Sequence, residues 1–535
     1  MSADLILLAG AVHTLNPDQP TAEAIGISDG RIVAIGDIAT VLAERSRRTQ
    51  VIDARTATIV PGLVDGHTHP LLGVDTTRGV DLTTARTRAE VAAALAVEAN
   101  VSPPGGWVRG WGLDPDALDR QPLHRQLLDE AVGGRPALIL LFDGHAGLAS
   151  TAALAAAGIS GPVRFAARGE VVCDEFGQPT GHLLEEEAIE LVTAVMPTQS
   201  WAERRMGLRD VLSRMAAAGL TGGHVMDLDD ADVELYRQLD EAGELPLRLR
   251  IAPWCRPGDT SERLAELIAL QQHHGRVWAV AGVKLFIDGT IDGGTAWLSR
   301  PDLNGQSDAC YWGDPAAYTR AVHWLAAAGV ATATHAIGDA GVRHVLDTIA
   351  TAPPGPRAPH RVEHIETLPD RQVARFAKVG AIASMQPTHA TDYTLADLSD
   401  NWSRRLGAER ARQGWRCGDI LRSGGTVVFG SDWPVAPFDP RGIMAAAQTR
   451  RPPAAPDRAP VGLAQRVSAT EALRAHTTAP AVAAGDRDGG RLQHGGRADL
   501  TVLQGDPLIL PPSDLVDVPV LYTVMEGVVR HRHES

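Results

Sequence analysis

Two histidines that follow an apolar run form the strongest chemical signal in the sequence. The segment at 61–69 reads PGLVDGHTH and places His67 and His69 two positions apart. Alternate side chains of a strand lie on one face, so both imidazoles can point into one site. Neutral imidazoles that lie close together are natural ligands of a divalent metal ion. The structural alternative is a polar strand end with two solvated histidines.

Three further polar residues end later apolar runs. His335 ends VATATH, His364 lies in HRVEHIE, and Asp432 ends GTVVFGSD. In a (β/α)₈ barrel, functional residues come from the carboxyl ends of several strands. Each residue alone would suit a hydrogen-bonded structural position, but their shared placement after the His-x-His strand predicts one metal site.

A lysine within an apolar strand is the next candidate. Lys284 lies in AGVKLFIDGT and shares a face with Phe286 and Asp288 by strand parity. A buried lysine is costly unless it is paired or chemically altered. The sequence leaves two interpretations open: Lys284 pairs with Asp288 or another acid, or it is an N6-carboxylysine whose carbamate bridges two metal ions.

The elements around these residues alternate in type along the middle of the chain. Apolar runs such as ALILLF at 137–142 and VWAVAGVKLFI at 277–287 alternate with helical segments such as WAERRMGLRDVLSRMAAAG. Strand–helix alternation is typical of parallel βαβ units. We therefore predict an α/β protein with a TIM-like (β/α)₈ barrel rather than an open sheet.

The two chain ends have a different sequence pattern, in which short strand-like segments alternate with turn residues. We predict that residues 1–60 and 485–535 together form a composite β-sandwich domain. Residues 61–484 then form the barrel domain, with a β-hairpin insertion near 161–181.

Composition excludes several classes of protein. The chain has 535 residues and a formal net charge of −15, which disfavours binding to nucleic acid or an anionic membrane. Its 4 cysteines form no CxxC pair, so a disulfide framework or a structural zinc site is not expected. No secretory signal or membrane span is evident, and a cytoplasmic enzyme is the expectation.

The motifs and their order resemble the amidohydrolase superfamily. The similarity rests on PGLVDGHTH, the strand lysine, single histidines on two later strands and the final GSD. The segments WVRGWGLD, GQPTGHLLE, GVKLFIDGT, THAIGD, RVEHIE, SMQPTHA and GSDWPV resemble its N-substituted formamide deformylase branch. This resemblance implies one or two divalent ions, Zn²⁺ first, with ligands at His67, His69, Lys284, His335, His364 and Asp432. It also implies that Asp432 is the general base and that Lys284 is carboxylated in a binuclear site.

Other polar residues have less defined roles. His145 in DGH and His389 in QPTH are expected at barrel strand ends, where they could bind a carbonyl oxygen or a substrate carboxylate; structural loop histidines are the alternative. Glu185 matches a recurrent glutamate of the branch, although three consecutive acids also suit a solvated helix start. The branch often has an aspartate on the third strand, where this chain has His224 and Asp227 nearby.

These features predict a metal-dependent hydrolase of non-peptide C–N bonds. The expected substrate is a small-molecule linear amide, such as an N-formyl or N-acyl amine or amino acid, attacked by metal-activated water. A cyclic amide, ester or lactone is the alternative substrate, and a non-catalytic binding protein is the alternative class. No GxGxxG or P-loop motif supports a flavin or nucleotide enzyme. A homodimer is compatible with the sequence.

Overall fold

The strands of the described residues lie in four sheets. The computed structural model describes residues 2–103, 105–118, 121–165 and 169–534. In chain order the strands are β1 Ala3–His13, β2 Thr21–Ser28, β3 Arg31–Gly36, β4 Arg45–Pro61, β5 Leu63–Thr68, β6 Val80–Asp81, β7 Val108–Leu113, β8 Ala137–Leu141, β9 Ala146–Ala149, β10 Glu170–Cys173, β11 Pro179–Leu184, β12 Leu220–Val225, β13 Arg248–Ile251, β14 Trp278–Val280, β15 Val283–Phe286, β16 Thr332–Ala336, β17 Arg361–His364, β18 Ile382–Met385, β19 Thr426–Phe429, β20 Leu500–Leu503, β21 Val520–Met525 and β22 Val528–Arg532.

Helices form at the amphipathic segments that the sequence indicates. Reciprocal capping boxes start three of the described helices, at Thr87 with Glu90, at Ser200 with Glu203 and at Ser468 with Glu471. The helices are α1 Ile38–Leu42, α2 Pro70–Thr76, α3 Arg88–Val101, α4 Gln126–Ala131, α5 Thr151–Ala156, α6 Glu186–Thr193, α7 Trp201–Ala217, α8 Val233–Glu241, α9 Ser261–Leu270, α10 Pro315–Ala327, α11 Asp339–Thr351, α12 Asp370–Val373, α13 Arg375–Val379, α14 Pro387–Asp392, α15 Asn401–Leu406, α16 Ala408–Ala411, α17 Cys417–Arg422, α18 Pro440–Thr449, α19 Ala469–Ala475, α20 Thr478–Ala483 and α21 Pro512–Leu515. None of the described helices has the length and apolar character of a membrane span.

Two parallel sheets carry the candidate site. One has the order β14-β13-β12-β5 and the other β15-β16-β17-β18-β19. Isolated parallel bridges connect the two sheets, one between Thr68 of β5 and Trp433 after β19, the other between Trp254 after β13 and Lys284 of β15. The apolar run at 277–287 is divided between β14 and β15, because Gly282 between them has a φ of 98°. With helices between successive strands, this is a TIM-barrel-like α/β arrangement.

The strands from the two chain ends share one sheet. Its order is β22-β21-β20-β4-β1-β2-β3, and β4 pairs in parallel with β1 and antiparallel with β20. Apolar side chains of this sheet, such as those of Leu7, Ile59 and Val502, are fully buried. The division into domains at 60/61 and 484/485 stays a prediction.

A third unit, between β5 and β12, is a mixed sheet of order β10-β11-β9-β8-β7-β6. The run at 137–142, which the sequence suggested as a barrel strand, forms β8 here and pairs with β7 and β9. Periodicity identifies a buried strand but not the sheet that it joins. The hairpin expected near 161–181 corresponds to the antiparallel pair β10–β11, and residues 166–168 lie outside the described residues. We call this unit the inserted sheet.

Candidate metal centre and active site

The ends of β5 and β19 bring two histidines to one carboxylate. The Nε2 atoms of His67 and His69 each lie 3.2 Å from Oδ1 of Asp432. The backbone N–H of Asp432 donates to the carbonyl of His67 at 2.7 Å, which fixes the loop after β19 against β5. The ligand atoms of the three side chains lie within 4.8 Å of one another, and all three residues are buried.

The other ring nitrogens of these histidines have acidic partners. Nδ1 of His67 lies 2.6 Å from Oε2 of Glu363, and Nδ1 of His69 lies 2.8 Å from Oδ1 of Asp227. A metal-ligating histidine typically donates its second N–H to a carboxylate in this way. With Nδ1 as the donor, both Nε2 lone pairs face the Asp432 carboxylate, so three acceptors converge on a place suited to a cation.

The charges in this cluster favour a cation. Burial lowers the pKa of His69, but hydrogen bonds to Asp227 and Asp432 raise it overall to about 9. Burial raises the pKa of Asp432, but the nearby charge of His67 and hydrogen bonds from His67 and His69 hold it well below its usual range. The site therefore stabilises positive charge beside an ionised carboxylate, which fits a divalent metal ion.

A buried ion pair supports His67 from behind. Arg361 donates from Nε to Oε1 of Glu363 at 2.9 Å, and from Nη2 to the carbonyl of Gly66 at 2.6 Å. Burial raises the pKa of Glu363, but the charges of Arg361 and His67 hold it well below the usual range. The carboxylate thus stays ionised and can fix the tautomer of His67.

A second group shares Asp432. His364 and His389 lie 3.8 and 3.9 Å from Oδ2 of Asp432, and the three residues form a second candidate metal group. Nδ1 of His364 also lies 3.0 Å from Oε1 of Gln386. Nε2 of His389 is buried and has no hydrogen-bond partner among the described residues. An unpaired buried nitrogen of this kind is available for a ligand.

His335 and Lys284 lie beside this cluster. The His335 ring lies 4.5 Å from the His364 ring, and its Nε2–H donates to the carbonyl of Gly289 at 3.2 Å. Nζ of Lys284 lies 3.4 Å from Nε2 of His67, and burial lowers the pKa of this lysine to about 8. The alternative pairing of Lys284 with Asp288 is not found. The Asp288 carboxylate instead accepts the backbone N–H groups of Trp297, Ile337 and Gly338.

His145 reaches the site from the inserted sheet, not from a barrel strand as expected, because the run before it forms β8. Its ring lies 4.9 Å from the His335 ring, and its Nδ1 lies 2.8 Å from Oε2 of Glu185. Burial lowers the pKa of His145, but the charge and hydrogen bond of Glu185 raise it overall to about 9. His389, in contrast, follows β18 in the parallel sheet, as the sequence predicted.

A cavity of about 610 Å³ opens onto this cluster. Its polar lining includes His69, Lys284, His335, His364 and Asp432. Its apolar lining, which comes largely from the inserted sheet and α6, includes Leu138, Leu140, Phe142, Ile189 and Met196. The cavity therefore combines an apolar surface with the polar cluster.

The structure brings most of the candidate residues together around Asp432: His67, His69, His145, Lys284, His335, His364 and His389. His224 lies apart from this cluster, with its Nδ1 2.7 Å from Nη1 of Arg361. Sequence reasoning missed Glu363 and Arg361, which together orient His67. The sequence contained a signal for this pair: an arginine and a glutamate two positions apart on a buried strand lie on one face, and both need charged or hydrogen-bonding partners. Asp227, whose role the sequence left in doubt, contacts His69.

Relatives in the curated collections extend over almost the whole chain. N-substituted formamide deformylase from Arthrobacter pascens is 28% identical, with 99% of this chain and 98% of that protein covered. Protein LONG AFTER FAR-RED 3 from Arabidopsis thaliana is 29% identical over 94% of this chain and 87% of its own length. An uncharacterized metal-dependent hydrolase from Pyrococcus horikoshii shares the fold with a TM-score of 0.73, at 23% identity, with 95% of this chain and 99% of that chain covered.

The family assignment rests on a match over most of the chain and not on a single motif. The sequence matches the amidohydrolase family over residues 50–531, which includes each of the candidate ligands. The prediction of a metal-dependent amidohydrolase from the motifs is thereby confirmed, and this chain belongs to the amidohydrolase family.

Proposed function

We propose that this protein hydrolyses linear amides of small molecules, such as N-formyl or N-acyl amines and amino acids. The observation that carries the proposal is the convergence of His67 and His69 on one carboxylate oxygen of Asp432, at 3.2 Å each. The deformylase relative supports the choice of a linear amide. In the reaction, hydroxyl from water joins the acyl carbon, the C–N bond breaks, and the leaving nitrogen gains a proton.

The donor set fits a divalent metal ion, with Zn²⁺ as the first choice because imidazole and carboxylate ligands suit it. His67, His69 and Asp432 would hold one ion, and a second would draw on His364 with His335 or His389. Such an ion lowers the pKa of water and polarises a carbonyl oxygen.

Asp432 has the central role among the chain's own residues. Its carboxylate is held ionised, so it can accept the proton of the attacking water and then donate it to the leaving nitrogen. His145 lies beside His335 and lines the cavity, where its ring can hydrogen-bond the substrate carbonyl. His389 offers its unpaired Nε2 on the other side of Asp432.

Lys284 suits carboxylation by its position. Its amine is buried, lies 3.4 Å from His67 and has no acidic partner within hydrogen-bond distance among the described residues. After the ammonium group has lost one proton, reaction of the neutral amine with carbon dioxide would form a carbamate and release a second proton. The two steps together replace a buried cation by an anionic ligand. Intact-mass measurement under native conditions, with and without added bicarbonate, tests this; an unmodified lysine in fully metal-loaded protein would contradict it.

We also propose that the two parallel sheets act as one closed (β/α)₈ barrel. The isolated bridges at Thr68–Trp433 and Trp254–Lys284 support closure. The sheet built from both chain ends is consistent with the composite β-sandwich domain of the sequence prediction.

The direct experiment is a substrate panel with metal-loaded protein. N-formyl, N-acetyl and aryl-acyl amides should release amine. Lactones, esters and cyclic amides, assayed in parallel, test the alternative substrates. Metal analysis should find at least one tightly bound divalent ion per chain. Protein that binds no metal and cleaves no member of the panel would instead support a binding protein that keeps the fold.

A further inference from the structure

Two small cavities lie toward the amino ends of the parallel strands, whereas the metal cluster lies at their carboxyl ends. They measure about 30 and 60 Å³, and they adjoin each other because His224 and Arg250 line both. The rest of the lining includes Gly62 before β5, Arg248 at the start of β13 and Thr332 at the start of β16. We call the space around His224 and Arg250 the amino-end cavity.

Arg250 brings a positive charge to this cavity without an acidic partner. Its side chain lies on β13, is partly buried, and has no hydrogen bond or ion pair among the described residues. Burial and the nearby charge of Arg361 lower the pKa of Arg250 to about 10, so the guanidinium is still protonated at neutral pH. A charge that is removed from water and lies near a like charge is unfavourable unless an opposite charge offsets it.

His224 adds a second hydrogen-bond donor to the lining of this space. Nη1 of Arg361 lies 2.7 Å from Nδ1 of His224, and because an arginine can only donate, this ring nitrogen is the acceptor. Burial and the charges of Arg361 and Arg250 hold the pKa of His224 well below its usual range, so the ring is neutral. Its one N–H is therefore on Nε2, which has no partner among the residues that the structure describes.

The acidic residues that line the larger of the two cavities already have partners. Asp486 and Asp499 both pair with Arg497, the latter at 3.2 Å. Asp488 pairs with Arg31 at 3.0 Å. These carboxylates disfavour a dianion in the same space, whereas the unpaired guanidinium attracts a single negative charge.

Size restricts the ligand further. A space of about 10–15 Å³ holds one water molecule. The two cavities, at about 30 and 60 Å³, therefore admit an anion of one or a few heavy atoms and exclude sugar acids and organic phosphates. A small anion with one negative charge matches both the volume and the donors of the amino-end cavity.

We propose that the amino-end cavity binds a monovalent anion of the size of chloride, held by the guanidinium of Arg250 and the Nε2–H of His224. The site is separate from the metal cluster and does not depend on the proposed amide hydrolysis. The bound anion offsets the repulsion between Arg250 and Arg361. Because Arg361 pairs with Glu363, which orients His67, the anion also stabilises the side chains that support the metal cluster.

Anomalous diffraction from crystals grown in sodium bromide tests the location of the anion, since bromide can replace chloride and scatters anomalously. We expect a bromide peak within hydrogen-bond distance of Arg250 and His224, and no peak at this place in crystals of Arg250→Gln. Peaks on surface residues alone, with none in the amino-end cavity, would show an adventitious ion only and would overturn the proposal.

Thermal unfolding in sodium chloride and in sodium gluconate, at equal ionic strength, gives a second test. Gluconate is too large for the cavity, so the difference in Tm between the two salts contains the effect of the bound anion. This difference should be about 1–3 °C larger for the unaltered protein than for Arg250→Gln, because a ligand that binds only the folded chain stabilises it.

Arg474→Gln, which removes an exposed arginine on α19, is the matched control and should keep the difference of the unaltered protein. An equal difference in all three proteins would mean that chloride acts elsewhere, and the proposal would fail. The bromide peak in the unaltered protein decides the question if Arg250→Gln does not fold.

Discussion

Nδ1 of His67 lies 2.6 Å from Oε2 of Glu363, and both side chains are fully buried. Glu363 precedes His364 on β17, so one strand carries a candidate ligand and the residue that orients another. Arg361 on the same strand neutralises the glutamate at 2.9 Å. The ion pair with Arg361 thus stabilises the ionised carboxylate of Glu363 in the interior. That carboxylate in turn fixes the direction of the Nε2 lone pair of His67.

Glu363→Gln should weaken metal binding about 10–100-fold, because the amide keeps a hydrogen bond but removes the charge that favours the required tautomer. Chelator competition followed by metal analysis measures the change. Glu409→Gln, an exposed substitution on α16, serves as the control. Unaltered metal affinity in a folded Glu363→Gln protein would show that Glu363 does not support the ligand.

Asp432→Asn should reduce kcat by about 10²–10⁴-fold, because the carboxamide cannot accept a proton from water. The side-chain oxygen near His67 and His69 is retained, so we expect the fold and most of the metal content to remain. Steady-state kinetics with parallel metal analysis separates the two effects. Full turnover in this variant would exclude Asp432 as the general base.

Glu185 is held in an unusual conformation by its contacts with His145. It has a φ of 66° and a ψ of 164°, a region that side-chain-bearing residues rarely occupy. Its N–H donates to the His145 carbonyl at 2.7 Å, its Oε2 contacts Nδ1 of the same residue, and its buried Oε1 has no partner among the described residues. The strained backbone of Glu185 and its unpaired Oε1 are both unfavourable, and they accompany the fixed orientation of the His145 ring.

Glu185→Ala should therefore lower kcat about 100-fold with little change in metal content, because His145 loses its orientation beside the substrate. Glu244→Ala removes an acid that lies outside the cavity lining and pairs with Arg205, and it provides the matched control. The kinetics should be compared at equal metal occupancy. Equal kcat values for the two variants would argue that Glu185 has a structural role alone.

Acid should destabilise the fold through His476. This residue is fully buried, its Nδ1–H donates to the Val64 carbonyl at 3.0 Å, and burial lowers its pKa from 6.5 to about 4. Between these values the unfolded chain binds a proton that the folded chain does not. The free energy of unfolding therefore falls as the pH drops from 6.5 towards 4, by up to about 1.4 kcal/mol per pH unit for this group.

The pH dependence of urea denaturation of His476→Gln tests this assignment. Whatever its stability at pH 8, the variant should lose stability less steeply below pH 6.5 than the unaltered protein. His494→Gln, at an exposed position, should keep the original slope. Identical slopes in all three proteins would place the acid sensitivity elsewhere.

The amino-acid sequence by itself determined the family, the strand–helix alternation and the set of candidate ligand and catalytic residues. Those follow from local patterns: the His-x-His after an apolar strand, the strand lysine and the order of the later histidines and Asp432. The segment that forms α7 was evident for the same reason, since amphipathic period and caps are local properties.

Only the tertiary structure decided which sheet each strand joins and which side chains meet. The run that became β8 looks like a barrel strand in sequence, yet it pairs within the inserted sheet and brings His145 over the site. Strand parity would put Glu363 and His364 on opposite faces, but a φ of 72° at His364 interrupts the alternation. Both residues therefore reach the metal cluster. Such placements depend on pairing partners and left-handed backbone conformations set by contacts distant in sequence, which local periodicity does not encode.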